Sequence, residues 1–294
     1  GTSRLVFETP EPAPGRFGVQ FGPEGRTVLV LDPGTPLWFS AAPIAGPNGR
    51  LTRDWRPLPA ADGVAITQVP DTAVAGDARV LARPTRPAAD DRGADAVRLE
   101  WSAEYVEHAK AGRPTQRQGR PTGRPALAWT DEAARRMMVG NPARPIPYEA
   151  GEPMLTFVDG LEQAGMLDFG FHYQGWGSWS VIGGLSDGRT VIVSEIVEDA
   201  RPSRIFAVLL NPDGSVSDAV RGDQPDPSVP LPVHLRLPDH QGWIVADYGA
   251  ALRYRAIPGG PLLDAARDAA LVPDTALQVE VSRGGAATVV GLPR

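Results

Sequence analysis

Short apolar runs separated by glycine and proline set the pattern along most of this chain. Arg4–Phe7, Phe17–Phe21 and Thr27–Leu31 are brief apolar or alternating stretches. They are cut by Pro12-Ala13-Pro14-Gly15, Gly22-Pro23-Glu24-Gly25 and Asp32-Pro33-Gly34, whose residues suit tight turns for backbone reasons. Leu37–Ala42, Ala65–Val69 and Ala78–Ala82 continue the series. In the C-terminal half the same reading gives strands at Trp179–Gly183, Thr190–Ile196, Arg204–Leu210, Pro232–Leu237, Trp243–Tyr248, Leu252–Ala256, Leu277–Val281 and Ala287–Leu292. Strands about ten residues apart predict a mainly β fold, propeller-like or a paired β-sandwich.

Helical signals are few. Ser102–Ala111 is predicted as a helix, with Ser102 as N-cap, Glu104 in the first turn and Gly112 beyond its end. Thr130–Val139 is predicted as a second, capped by Thr130, with Asp131 and Glu132 at the positive end of its dipole and Gly140 and Pro142 as the stop. Leu262–Leu271 reads as a third, short helix before a final hairpin that turns at Arg283-Gly284-Gly285. Arg83–Asp95 is rich in Pro, Arg, Asp and Ala and is expected to be an exposed linker. Gly112–Pro125, with Arg113, Arg117, Arg120 and Arg124 among Gly, Pro, Gln and Thr, is expected to be a long mobile loop. The resulting division is an N-terminal β module over 1–84, a Pro/Arg-rich linker with two short helices over 85–150, and a C-terminal β module over 151–294. The two β modules could equally form one continuous domain.

One internal similarity stands out. Glu24-Gly25-Arg26-Thr27-Val28-Leu29-Val30 returns as Asp187-Gly188-Arg189-Thr190-Val191-Ile192-Val193. Each copy leads to an apolar strand and then to a turn, Asn48-Gly49-Arg50-Leu51 or Asp213-Gly214-Ser215-Val216. This is either a repeat of two related β modules, such as a partial propeller, or the ordinary reuse of one hairpin type.

Composition narrows the chemistry. Gly and Pro supply 33 and 31 of the 294 residues, which supports many turns over long helices. A net charge of −6 argues against a nucleic-acid partner, since phosphate-tracking surfaces need basic excess. With no cysteine, disulfides, thiolate nucleophiles and Cys-based zinc sites are excluded. No window approaches the roughly 18 apolar residues of a membrane span. Gly1-Thr2-Ser3-Arg4 lacks the features of a signal peptide and reads as an artificial junction to a trimmed segment, so any native leader or anchor could have been removed and its absence here says nothing of location. Among 29 basic residues only Lys110 is lysine, a bias that suggests a GC-rich genome of actinobacterial type.

The catalytic motifs fail one by one. Trp176-Gly177-Ser178-Trp179-Ser180 has tryptophan where a nucleophile elbow needs its first glycine. Leu209 stands where a calcium loop ending in Asp213-Gly214 needs its first carboxylate. His108, His172, His234 and His240 do not fall at zinc-ligand spacing, so neither metal nor cofactor is expected. Lys110 is expected on a solvated helix rather than in a Schiff-base pocket.

Two groups carry candidate chemistry. Phe169, Phe171, His172, Tyr173, Trp176 and Trp179, interleaved with Gly and Gln, either fill a β core or form a stacking surface for a planar ligand. On the second reading Phe171, His172, Tyr173, Trp176 and Trp179 are the binding residues. Glu195, Glu198 and Asp199 are the densest acidic group; a solvated turn paired with Arg201 and Arg204 is expected, against glycosidase-type acid/base work. His240 is expected in a solvated turn.

Gly242–Tyr254, followed by Asp268-Ala269-Ala270-Leu271-Val272-Pro273, resembles the extracytoplasmic part of uncharacterised actinobacterial membrane proteins or lipoproteins, over about the last third of the chain. The resemblance implies an exported protein tethered to the membrane only through a removed N-terminal anchor, and it transfers no functional residue. The function expected is a non-catalytic extracytoplasmic binding or sensory module for a glycan, a small metabolite or another protein. The alternative is an enzyme without a recognisable motif, a glycan hydrolase or a natural-product cyclase.

Overall fold

A computed structural model describes residues 17–22, 25–31, 34–73, 75–93, 95–101, 135–140, 153–167, 173–176, 179–198 and 203–293. The protein is mainly β, with several sheets and a half-barrel, and its described residues fall into two compact units. Unit one takes the described residues up to Trp101 together with Leu167; unit two takes 135 to Met166 and everything described from Tyr173 onward.

Unit one contains β1 (Gly18–Phe21), β2 (Thr27–Leu31), β3 (Leu37–Ser40), β4 (Pro43–Ala45), β5 (Leu51–Arg53), β6 (Arg56–Leu58), β7 (Ala60–Ala61), β8 (Val64–Gln68), β9 (Arg79–Ala82) and β10 (Leu99–Trp101). The order β10-β1-β2-β8-β7 makes one sheet, β6-β3-β9 a second, and β4 pairs with β5 alone. Period-two alternation explains the packing. Val28 and Val30 of β2 point inward and meet Leu37, Phe39, Val80 and Ala82 of the second sheet in one apolar cluster. The described part of the stretch 83–95 is irregular and largely exposed, and specific contacts tie it to the rest of the unit. Arg83 pairs with Asp91 and Asp95, the Arg53 N–H donates to the Ala89 carbonyl at 2.6 Å, and the Trp55 indole donates to the Asp91 carbonyl at 3.2 Å. Ion pairs and backbone hydrogen bonds hold this segment where apolar burial is scarce.

Unit two contains β11 (Arg135–Gly140), α1 (Pro153–Gln163), β12 (Tyr173–Trp176), β13 (Trp179–Gly184), β14 (Thr190–Glu198), β15 (Arg204–Leu210), β16 (Val216–Arg221), β17 (Val233–Arg236), β18 (Trp243–Arg255), β19 (Leu263–Val272), β20 (Gln278–Arg283) and β21 (Ala286–Gly291). One sheet runs β11-β13-β14-β15-β16 with β12 also on β14; another runs β17-β18-β20-β21 with β19 along β18. Val181, Val191, Val193, Ile205, Ala207 and Leu209 of the first share a core with Val233, Leu235, Ile244 and Ala246 of the second. The thirteen-residue β18 changes partner midway, from β17 to β20, with a register shift between Ala246 and Ala251.

Three hairpin turns in the two units are copies of one design. At 46–50, 185–189 and 211–215 the first residue donates to the carbonyl of the fifth, and the fourth donates back to the first. The third residue's side chain (Asn48, Asp187 or Asp213) accepts from the N–H of the fifth. Gly49, Gly188 and Gly214 take the left-handed position that such a loop demands. The strands that follow the two sequence copies differ: β3 joins another sheet than β2, whereas β15 pairs beside β14.

The helical expectations need correction. Residues 135–139, expected to end a helix, belong to β11, which pairs in parallel with β13 and buries Met137 and Val139 at period two. Leu262–Leu271, also expected as a helix, is extended as β19 because pairing along β18 overrides the propensity of its alanines. The expected helix at 102–111 and the loop at 112–125 lie outside the described residues. The α-helix among the described residues is α1, with Pro153 in its first turn. It ends in a Schellman motif: Met166 N–H donates to Leu161, Gly165 N–H to Glu162, and Gly165 has φ 75°. Phe157 and Leu161 are buried, and Gly160 lies so close to Val208 of β15 that a Cβ would sit 2.6 Å from its methyl.

Candidate functional site

A cavity of about 220 Å3 opens in unit two where β15 and the segment after β16 face β17. Three local features build it. Gly222 continues the β15 edge through its N–H to the Ile205 carbonyl at 2.8 Å, and a Cβ there would lie 2.9 Å from a Leu235 methyl. Asp226 accepts from the Ser228 N–H and hydroxyl at 3.0 and 2.6 Å, which closes the turn at 226–229. Leu231, fully buried, holds φ 58°, a left-handed conformation that a bulky side chain disfavours. Pro230 and Pro232 each lock their own φ near −65°, so the reversal falls on the leucine between them.

Two contacts fix that conformation. The Leu231 N–H donates to Asp247 Oδ2 at 3.5 Å, and its carbonyl lies 3.2 Å from His234 Nδ1. Arg283 in turn pairs with Asp247 and donates to the Tyr248 carbonyl at 2.6 Å. The cavity is walled by Ile205, Leu231, Pro232 and Leu235, with exposed Val229 at the mouth; Asp223, Gln224, Asp226 and His234 supply the polar lining. Leu231 also packs with Trp243, Val245, Leu252 and Val279, so one residue belongs to both the cavity wall and the core.

Of the candidate residues read from sequence, the described Trp179 and Glu195 do not line this cavity. Phe169, Phe171 and His172 lie outside the described residues. Tyr173 and Trp176 bracket β12, opposite Glu198 and Ile196 of β14. Trp179 is 1% exposed within the core, and its indole N–H donates to Glu195 Oε2 at 3.2 Å. Glu195, expected in a solvated turn, is instead fully buried, because β14 runs on to Glu198 and pairs Glu195 with Ile205. Asp199 and Arg201 lie outside the described residues. His240 does occupy an exposed turn, where its Nδ1 meets Asp274 Oδ2 at 2.9 Å. The cavity residues carried one visible signal, prolines on both sides of Leu231, and no motif spacing.

Two carboxyl groups respond oppositely to pH. The Arg236 guanidinium, at 2.8 and 3.0 Å, and then His240 hold Asp274 well below the ordinary carboxylate range. Burial pushes the Asp247 carboxyl up, with Arg283 opposing it. Asp274 therefore contributes stability above the ordinary range that is lost as pH falls through and below it. Asp247 contributes stability at acid pH that declines as pH rises through its raised value. Urea midpoints measured between about pH 6 and pH 2 should fall less steeply toward acid in Asp274→Asn than in the wild type. The Asp247→Asn variant should fall more steeply than the wild type.

Among the described residues no three His, Asp or Glu side chains converge as a metal site, and no helix is long and apolar enough to cross a membrane. Comparison with protein-family models, curated proteins and solved structures finds no match to this chain.

Proposed function

We propose that this chain is a non-catalytic binding or sensory module working outside the cytoplasm, and that the unit-two cavity seats its ligand. The observation that carries the reading is Leu231: a buried leucine held left-handed at a cavity wall, with both of its backbone polar groups engaged. Such strain costs about 1–3 kcal/mol and gathers at sites where geometry serves a ligand. The extracytoplasmic assignment rests on the likeness of Gly242–Tyr254 to exported actinobacterial chains. Of the architectures considered, paired β-sandwiches agree best with the apolar clusters that strands of two sheets share within each unit.

A titration tests the binding reading. Methyl-labelled protein is mixed with a set of cationic, neutral and anionic fragments, and saturable NMR shifts are expected at Ile205, Val229, Leu231 and Leu235. One observation favours the enzyme alternative: Glu195 is a buried carboxyl whose strand neighbour, Ile205, lines the cavity. On that reading Glu195→Gln abolishes turnover of a glycoside or polyene substrate; on ours the variant still binds.

A further inference from the structure

The lining of the cavity defines what it can hold. Its inner wall is apolar, from Ile205, Leu231, Pro232 and Leu235, and its volume of about 220 Å3 exceeds the roughly 150 Å3 of an apolar cavity that accepts benzene. The polar side is one-sided in charge, and its charged groups can only accept hydrogen bonds. Because the Leu231 carbonyl can only accept, His234 Nδ1 must be the donor in the contact at 3.2 Å. In the tautomer with that proton on Nδ1, Nε2 is the acceptor nitrogen of the ring. Asp223, exposed at the mouth, and Asp226 add carboxylates that can only accept. Among the described residues no arginine or lysine lines the cavity, and Gln224 brings a side-chain amide.

A ligand that satisfies such a lining must bring the donors, carry positive charge at the mouth and present an apolar body to the inner wall. We infer that the cavity takes a small primary amine bearing one ring or short branched chain. This rests on the cavity being the ligand site, as proposed above. The ammonium sits between Asp223 and His234, and the apolar body lies against Ile205, Leu231 and Leu235. Anionic ligands are disfavoured by the like charge of Asp223 and Asp226.

Three matched probes test it: benzylamine, benzyl alcohol and benzoate, each titrated into the full chain while the Ile205 and Leu231 methyl resonances are followed. Benzylamine is expected to bind about tenfold tighter than the alcohol, a difference of roughly 1.4 kcal/mol. Benzoate should bind weakest, and the amine's advantage should shrink at high salt. In Asp223→Asn, an exposed position whose change leaves the melting midpoint in place, the preference should fall to about two- to threefold. Equal binding of all three probes at these methyls, or preference for benzoate, overturns the amine assignment while leaving the cavity as a ligand site. An amine preference unchanged in Asp223→Asn removes the carboxylate from the argument and overturns it equally. No saturable shift at Ile205 or Leu231 with any probe overturns both the amine assignment and the binding reading.

Discussion

Replacing Trp179 by alanine is expected to remove about 3–5 kcal/mol of stability, read as a fall in the urea midpoint of unit two. The ring is 1% exposed and packs among Val181, Val193 and Ile205, so its loss opens a large cavity at the centre of the shared core. The change also strips Glu195 of an indole donor in a place that water does not reach. A buried carboxyl deprived of a hydrogen bond adds a cost of its own, of order 1–3 kcal/mol. Trp179→Phe should recover most of the packing and none of the hydrogen bond, and so fall between the two. An alanine variant within about 1 kcal/mol of the wild type would mean that the ring is not core.

The second large effect is at Gly242, where two independent penalties meet. Its φ of 106° lies in a region that side-chain-bearing residues rarely enter, and a Cβ there would stand 2.2 Å from the Val272 carbonyl oxygen. That carbonyl belongs to β19, which is paired along β18 and cannot retreat without opening the ladder. Gly242→Ala should therefore cost about 2–6 kcal/mol, the sum of backbone strain and overpacking. The neighbouring turn offers a control. Asp239 and His240 already sit left-handed at φ 55° and 56°, between a Pro238 carbonyl and the Gln241 N–H that donates to it at 3.2 Å. His240→Gly in this exposed turn relieves the left-handed backbone but gives up the Asp274 contact, so it should move the midpoint far less than Gly242→Ala in the same urea experiment.

Much of the β framework was legible because strand signals here are local. β2 and β15 have the bounds that their apolar runs suggest, and the acidic or amide residue before Gly49, Gly188 and Gly214 announced the three matching turns. What the sequence obscured was decided by distant partners. The alanines of Leu263–Val272 suit a helix in isolation, yet β18 offers a ladder of eight paired positions. Arg135–Gly140 likewise extends because β13 presents Gly183, against which the Val139 carbonyl can close. The helix α1 left both of its end signals in view, Pro153 and Gly165, but its apolar face is short and interrupted by Asp159 and Gly160.

The candidate site was hidden for another reason. Its side chains come from β15, from the coil after β16 and from β17, at spacings that no motif records. Its defining feature is a backbone angle at Leu231 that residue identity discourages. The aromatic strip stood out in the sequence instead, and its member Trp179 is buried in the core.

The most direct trial of the whole account is where ligand-dependent methyl shifts first appear when the intact chain meets small fragments. They are expected to saturate together at Ile205, Val229, Leu231 and Leu235. First responses confined to the exposed Ile44 and Ile66 of unit one, or to Ile257 and Val289 of unit two, would contradict it.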